Sequence, residues 1–196
     1  MNVLIFNGCS DYKPDTTGRR LAGCLQQQFE ALDLSVTPYH ISASPVPFFD
    51  LHETRPPAAV AKMCDLFLAS DLQVWLTPLY HGGMTGVMKN CFDWLELTAL
   101  AEKPYLTDKV VGLVAWADGG QAMQGINAMD AVAKALRAWV APYTVPLVKN
   151  HLYAGPNRQD LAAETTRKLE RLVGIIANAR RLLLPMLLCL AFMVNP

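Results

Sequence analysis

Apolar residues cluster along the chain in short runs of two kinds. Val3–Phe6 ("VLIF"), Leu72–Leu76 ("LQVWL") and Val110–Trp116 ("VVGLVAW") are nearly continuous. Such runs are typical of strands covered on both faces, as in a parallel sheet. Val36–His40 reads as a fourth strand and Pro146–Tyr153 as a weaker fifth. Between them the apolar positions change period. Leu21, Ala22, Leu25, Phe29 and Leu32 form one helical stripe, and Val60, Met63, Cys64, Phe67 and Leu68 form a second behind Pro56-Pro57. Ile126, Met129, Ala133, Leu136 and Val140 recur at steps of three and four, as do Leu169, Leu172, Val173 and Ile176. Strands thus alternate with helices once through the chain, without repeats. That order predicts a doubly wound α/β sandwich, a five-stranded parallel sheet with helices on both faces joined by right-handed crossovers.

Such sheets take ligands beyond the carboxyl ends of their strands, where the strand order reverses. This points to the loops after the first, third and fourth strands. The first, "NGCSDYKPDTTGRRLAG", carries Ser10, Thr16 and Thr17 ahead of Arg19 and Arg20 at a helix start. Hydroxyls and free amides at a helix N-terminus suit a phosphate. The loop is neither a Walker A nor a G-x-G-x-x-G fingerprint. A polar loop with an ordinary Thr cap is the plain alternative. The third-strand loop, Pro78-Leu79-Tyr80-His81-Gly82-Gly83, sets a flat side chain beside backbone that approaches a ligand closely. The fourth offers Asp118-Gly119-Gly120 before an amphipathic helix. Together the three describe a phosphate at one end of a crevice and a flat ring between the other two loops, as in a flavin mononucleotide.

Composition narrows the function. Charged residues make up 17% of the 196, below the usual share of about 25%, so much surface is buried within the fold or against a partner. Seventeen basic residues balance seventeen acidic ones, leaving no footprint for nucleic acid. Five scattered cysteines without a C-x-x-C pair argue against zinc, iron–sulfur clusters and a disulfide framework, and for reduced thiols in the cytoplasm. No basic region precedes the first strand, so no signal peptide is expected. The segment Leu182–Val194 is uncharged, mainly apolar and interrupted by Pro185. It is shorter than the roughly 20 residues a spanning helix needs, and is expected to pack on its own domain or on a dimer partner. The chain divides on this reading into a domain at 1–180 and a tail at 181–196.

"TPLYHGGMTGVMKNCFDWL" (77–95) resembles the P-E-Y-N-x-x-x-P-G-x-L-K-N-x-x-D-W-L block of the NADPH-dependent FMN reductase family, in the flavodoxin-like superfamily. The "NGCS" start and "VGLVAWADGGQAMQGINAMDAVAKALRAW" fall in family order, and the similarity covers roughly residues 2 to 150. The resemblance implies strand order 2-1-3-4-5, bound FMN, and NADPH or NADH as reductant. It implies a small acceptor such as a quinone, free flavin, azo compound or metal oxyanion, and a homodimer or dimer of dimers formed through the helix after the Tyr80 loop. It places Ser10, Thr16 or Thr17, and Arg19 around the FMN phosphate. Pro78, Leu79, Tyr80, His81 and Gly82, with Asp118, Gly119 and Gly120, would lie against the flavin ring. No general base is implied; His81 stands as a residue that tunes the ring or its acceptor. Three departures stand out: Tyr12 where the family often has Arg, Leu79-Tyr80-His81 for Glu-Tyr-Asn, and Asp118 for the serine of Ser-Gly-Gly. The rival readings are an electron-carrying flavodoxin without NAD(P)H activity, disfavoured by the neutral charge, and a flavin-free subunit.

Overall fold

A computed structural model of the chain describes residues 1–193 apart from Thr54 and Pro156, with side chains described as far as Ala179. Six parallel strands form the sheet: β1 (Asn2–Asn7), β2 (Ser35–His40), β3 (Leu72–Pro78), β4 (Val110–Ala117), β5 (Trp139–Val140) and β6 (Val145–Val148). The order is β2-β1-β3-β4-β5, and β6 also pairs with β4. The expected order is therefore present. Reversal falls between β1 and β3, whose register matches Val3 to Leu72 and Asn7 to Leu76.

Five α-helices cover the two faces: α1 (Thr17–Glu30), α2 (Ala58–Ala69), α3 (Gly86–Asp93), α4 (Ala122–Ala135) and α5 (Ala163–Met193). Side chains of a strand point alternately to opposite faces, and this parity divides the core in two. Val3, Ile5, Leu72, Val74, Leu76 and Val114 pack under Leu21, Leu25 and Phe29 of α1 and Leu169, Leu172 and Ile176 of α5. Leu4, Phe6, Trp75, Val111, Leu113 and Ala115 pack under α2, α3 and α4. Gly112 lies on the α5 face, where an added Cβ would run into Ile176 Cδ1. The bare backbone there lets α5 lie close to the sheet. Gln73 is buried without being stranded. It donates to Phe67 O (3.1 Å) and Ser70 Oγ (2.9 Å) and accepts from Trp75 Nε1 (3.0 Å).

Three local expectations need correcting. Leu32, counted in the first helical stripe, lies beyond α1 and is half exposed. Val140, counted in the fourth stripe, belongs to β5. Helix α4 ends earlier, at Ala135, and is stopped by Arg137, whose φ of +68° is left-handed. Ala138 N donates to Ala133 O (2.9 Å) and Arg137 N to Lys134 O (3.0 Å), a Schellman termination. It was hidden in the sequence because arginine, not glycine, fills the left-handed position. The fifth strand likewise is not Pro146–Tyr153. It comes in two pieces, β5 and β6, and a 3-10 turn at Lys149–His151 follows. The segment 182–194, and with it the division at 180/181, falls where side chains lie outside the described residues. Among the described residues no helix is long and apolar enough to cross a membrane.

Candidate functional site

The carboxyl ends of β1, β3, β4 and β6 finish on one edge of the sheet. Asn7 closes β1 and is 1% exposed. Its Oδ1 accepts from Cys9 N (3.1 Å), and its Nδ2 lies 3.0 Å from His40 Nδ1. Gly8 follows, donating its N–H to Leu76 O (2.8 Å) and accepting from Thr85 Oγ1 (2.7 Å). These contacts fix where the first loop leaves the sheet. The loop returns at Thr16, whose Oγ1 caps α1 by accepting from Arg19 N (3.3 Å). Thr17 Oγ1 is 2.7 Å from Tyr153 Oη, so the segment before α5 is tied to the start of α1.

After β3, Leu79 N donates to Trp116 O (2.8 Å) and extends the sheet by one bond. The chain then reverses in a two-residue hairpin turn. Tyr80 N to Gly83 O (3.1 Å) and Gly83 N to Tyr80 O (3.0 Å) close it, with His81 at φ +48° and Gly82 at φ +84°. Two successive positive φ values define the mirror-image turn that matches strand twist. Gly82 therefore serves the turn, and His81 takes the left-handed position beside it. Thr85 caps α3 by accepting from Met88 N (3.2 Å).

After β4, Asp118 leads into the Gly119-Gly120 stretch before α4. Lys149 Nζ lies 3.1 Å from Asp118 Oδ1.

These loops enclose a cleft of about 310 Å³, within the usual range for small-molecule sites. Pro78, Leu79, Trp116 and Ala117 line its apolar part, and Tyr80 stands at its side. Cys9, Asp11, Asp15, Thr16 and Thr17 line the end at α1, and Asp118 and Lys149 line the rim. Of the residues expected from sequence, Thr16, Thr17, Pro78, Leu79, Tyr80 and Asp118 are brought together. Ser10 is exposed and does not line the cleft; Cys9 does. His81, Gly82, Gly119 and Gly120 shape the neighbouring loops without lining it. Arg19 does not line the cleft; its Nε is buried and without a hydrogen-bond partner. Arg20, grouped with it from sequence, turns away to the carbonyl of Gln159 and to Asp15, 3.8 Å distant.

Sequence reasoning missed Lys149, which lies far from the three loops in the chain and is brought in only by strand pairing. It also missed Asp11 and Asp15 of the first loop. Burial raises the Cys9 thiol above its ordinary value, against the lowering effect of a hydrogen bond from the Asp11 backbone. His40 is held below 6.5 by burial and then by the charge of Arg19.

The fold that carries this switch-point cleft, with Pro78 and Trp116 on one side and the hydroxyls of a helix start on the other, is flavodoxin-like. Solved structures share that fold at low identity. RosB with a bound riboflavin-phosphate intermediate gives a TM-score of 0.75 at 16% identity, over 94% of this chain and 81% of the other. The apo NADH:FMN oxidoreductase EmoB gives 0.69 at 16%, over 92% and 88%. The model of the NADPH-dependent FMN reductase family matches residues 1–151, and the chain belongs to that family. It is accordingly an NAD(P)H-dependent flavin oxidoreductase whose family uses FMN and NADPH. Among relatives, an NADPH azoreductase of Bacillus sp. (strain OY1-2) is 28% identical over 188 residues, spanning 92% of this chain and 97% of the relative. An FMN-dependent NADPH-azoreductase of Staphylococcus aureus (strain USA300) is 26% identical over 147 residues, 72% and 74% of the two chains.

Proposed function

We propose that the cleft binds FMN, accepts reducing equivalents from NADPH or NADH, and passes them to a small acceptor, with an azo compound or quinone the first to test. The observation that carries this reading is the convergence of three loops on one cleft at the sheet's switch point, apolar along Pro78 and Trp116 and polar at the start of α1. The flavin supplies the two-electron chemistry when bound; the protein binds and orients it and sets its electrostatics.

The residues present fit such a group. Arg19 Nε is a buried donor lacking an acceptor, and an oxyanion drawn in at the start of α1 would supply one. Thr16, Thr17 and the amides of the α1 start would hold the same oxyanion, with Cys9 in the place first given to Ser10. Leu79, Tyr80 and Asp118 would flank the ring, while His81, Gly82, Gly119 and Gly120 set the loops that carry them. Val87, Leu97 and Leu100 are exposed apolar residues along and after α3, which supports a homodimer through that face. The reduced cysteines Cys9, Cys24, Cys64 and Cys91 suit the cytoplasm.

The test is spectroscopic. The purified protein is incubated with FMN, desalted, and mixed with NADPH without oxygen. The reading expects a retained flavin spectrum that bleaches with NADPH alone and returns when an azo dye or quinone is added. A retained flavin that NADPH cannot bleach would instead mark an electron carrier.

A further inference from the structure

Lys149 and Asp118 are neighbours because of a register shift in the sheet. Between the Val111–Val140 pair and the Val114–Val145 pair, β4 has two residues and the facing strand has four. The two extra residues preserve each side chain's face, since parity has period two, but they move the strand along its partner. Had the β5 register continued, Leu147 would stand beside position 118. With the shift, Ala117 pairs with Val148 and the next residues on each chain are Asp118 and Lys149. The break thus delivers an ammonium to the rim of the cleft, 3.1 Å from the carboxylate.

The charge balance gives that ammonium a purpose. Three carboxylates line the cleft, those of Asp11, Asp15 and Asp118, and Lys149 is the cation among the lining residues. Asp15 has Arg20 at 3.8 Å. An Asp at the rim by itself opposes negative charge on anything bound below it. The Lys149–Asp118 pair is half open to water, with side chains 44% and 86% exposed. Exposed pairs of this kind add little to stability, so the geometry matters more for what enters the cleft than for the fold.

We infer that Lys149 is the charge partner of the reduced flavin, with Asp118 as its counter-ion while the ring is oxidised. The inference rests on the FMN reading of the cleft. NAD(P)H gives up a hydride, one proton with two electrons. The nicotinamide would become its oxidised cation, and a bound flavin would carry one negative charge until it gained a proton or passed the hydride's proton and two electrons to the acceptor. The ammonium at the rim favours that anion and hardly distinguishes the neutral oxidised ring. A unit charge at the cleft mouth, weakened by the water that reaches this half-open pair, should change the ratio of reduced to oxidised affinity roughly tenfold. For a two-electron couple that is about 30 mV.

The experiment is a redox titration of FMN-loaded wild type, Lys149→Gln, Lys149→Arg and Asp118→Asn, with the affinity for oxidised FMN measured by flavin fluorescence. Lys149→Gln is expected to leave oxidised-FMN affinity within about threefold and to lower the midpoint potential by the tenfold equivalent. Asp118→Asn is expected to raise the potential, Lys149→Arg to match wild type, and the spread to shrink in high salt. An unchanged potential in a flavin-loaded Lys149→Gln variant overturns the inference and leaves the FMN reading standing, the pair then being a surface ion pair only. Failure of wild type to bind FMN overturns both.

Discussion

Helix α1 contains two glycines, and the same substitution at each should act in opposite directions. Gly18 lies in the first turn, against Asn7. An added Cβ would stand 2.6 Å from Asn7 Oδ1, 2.8 Å from Nδ2 and 3.1 Å from Cγ. Asn7 has little room to yield, being 1% exposed and bonded to Cys9 N and close to His40 Nδ1. Gly23 lies one and a half turns further on, with nothing within 4 Å of its added Cβ. Replacing Gly by Ala in a helix gains up to about 1 kcal/mol. At Gly18 this is set against overpacking of roughly 1–3 kcal/mol and a displaced buried hydrogen bond worth about 1–3 kcal/mol. Gly23→Ala should therefore stabilise by about 0.5–1 kcal/mol, and Gly18→Ala should destabilise by about 2 kcal/mol. At about 2–4 °C per kcal/mol for a chain of this size, the two variants should melt roughly 5–12 °C apart, on either side of wild type. Urea and thermal unfolding followed by far-ultraviolet circular dichroism, at one fixed protein concentration, measures this directly. FMN affinity should fall in Gly18→Ala alone, because Asn7 holds the Cys9 end of the first loop. A Gly18→Ala variant as stable as wild type would refute the reasoning, showing that Asn7 is free to move.

His40 predicts an acid-side loss of stability. Its folded pKa lies below 6.5, so protonation favours the unfolded chain. The stability tied to its neutral form is complete above that value and is lost as pH falls through the folded pKa. Unfolding measured from pH 7.5 to 5 should show this slope, and His40→Gln should flatten it. Burial pushes the Cys64 thiol up to about 11, with Asp65 adding to the rise, and the Cys91 thiol to about 12, with Cys64 adding to it. At pH 7.5 both should resist alkylation until the protein unfolds, which mass spectrometry of iodoacetamide-treated protein would reveal. His81 holds left-handed backbone at φ +48°. His81→Asn should melt within about 2 °C of wild type, since Asn accepts that conformation, whereas His81→Val should lose about 1–2 kcal/mol.

Much of this protein was legible in its sequence because the signals were local. Continuous apolar runs fixed β1, β3 and β4 as doubly covered strands, and three-four spacing fixed the faces of α1, α2, α4 and α5. Once the strands were in order, the crevice had to lie at their carboxyl ends, and Thr16, Thr17, Pro78, Leu79, Tyr80 and Asp118 could be named from the loops there. The tertiary structure decided what depends on segments far apart in the chain. The end of α4 at Ala135 rests on left-handed Arg137, which is not a glycine. The two-residue offset between β5 and β6 has no local signature, yet it sets Lys149 beside Asp118. One partner of Arg20 lies across the fold at Gln159, and Arg19 Nε is left as a buried donor without a partner. Periodicity reports which face of an element is buried. It does not report how far one strand slides along another, and that distance determines which charges meet at the cleft.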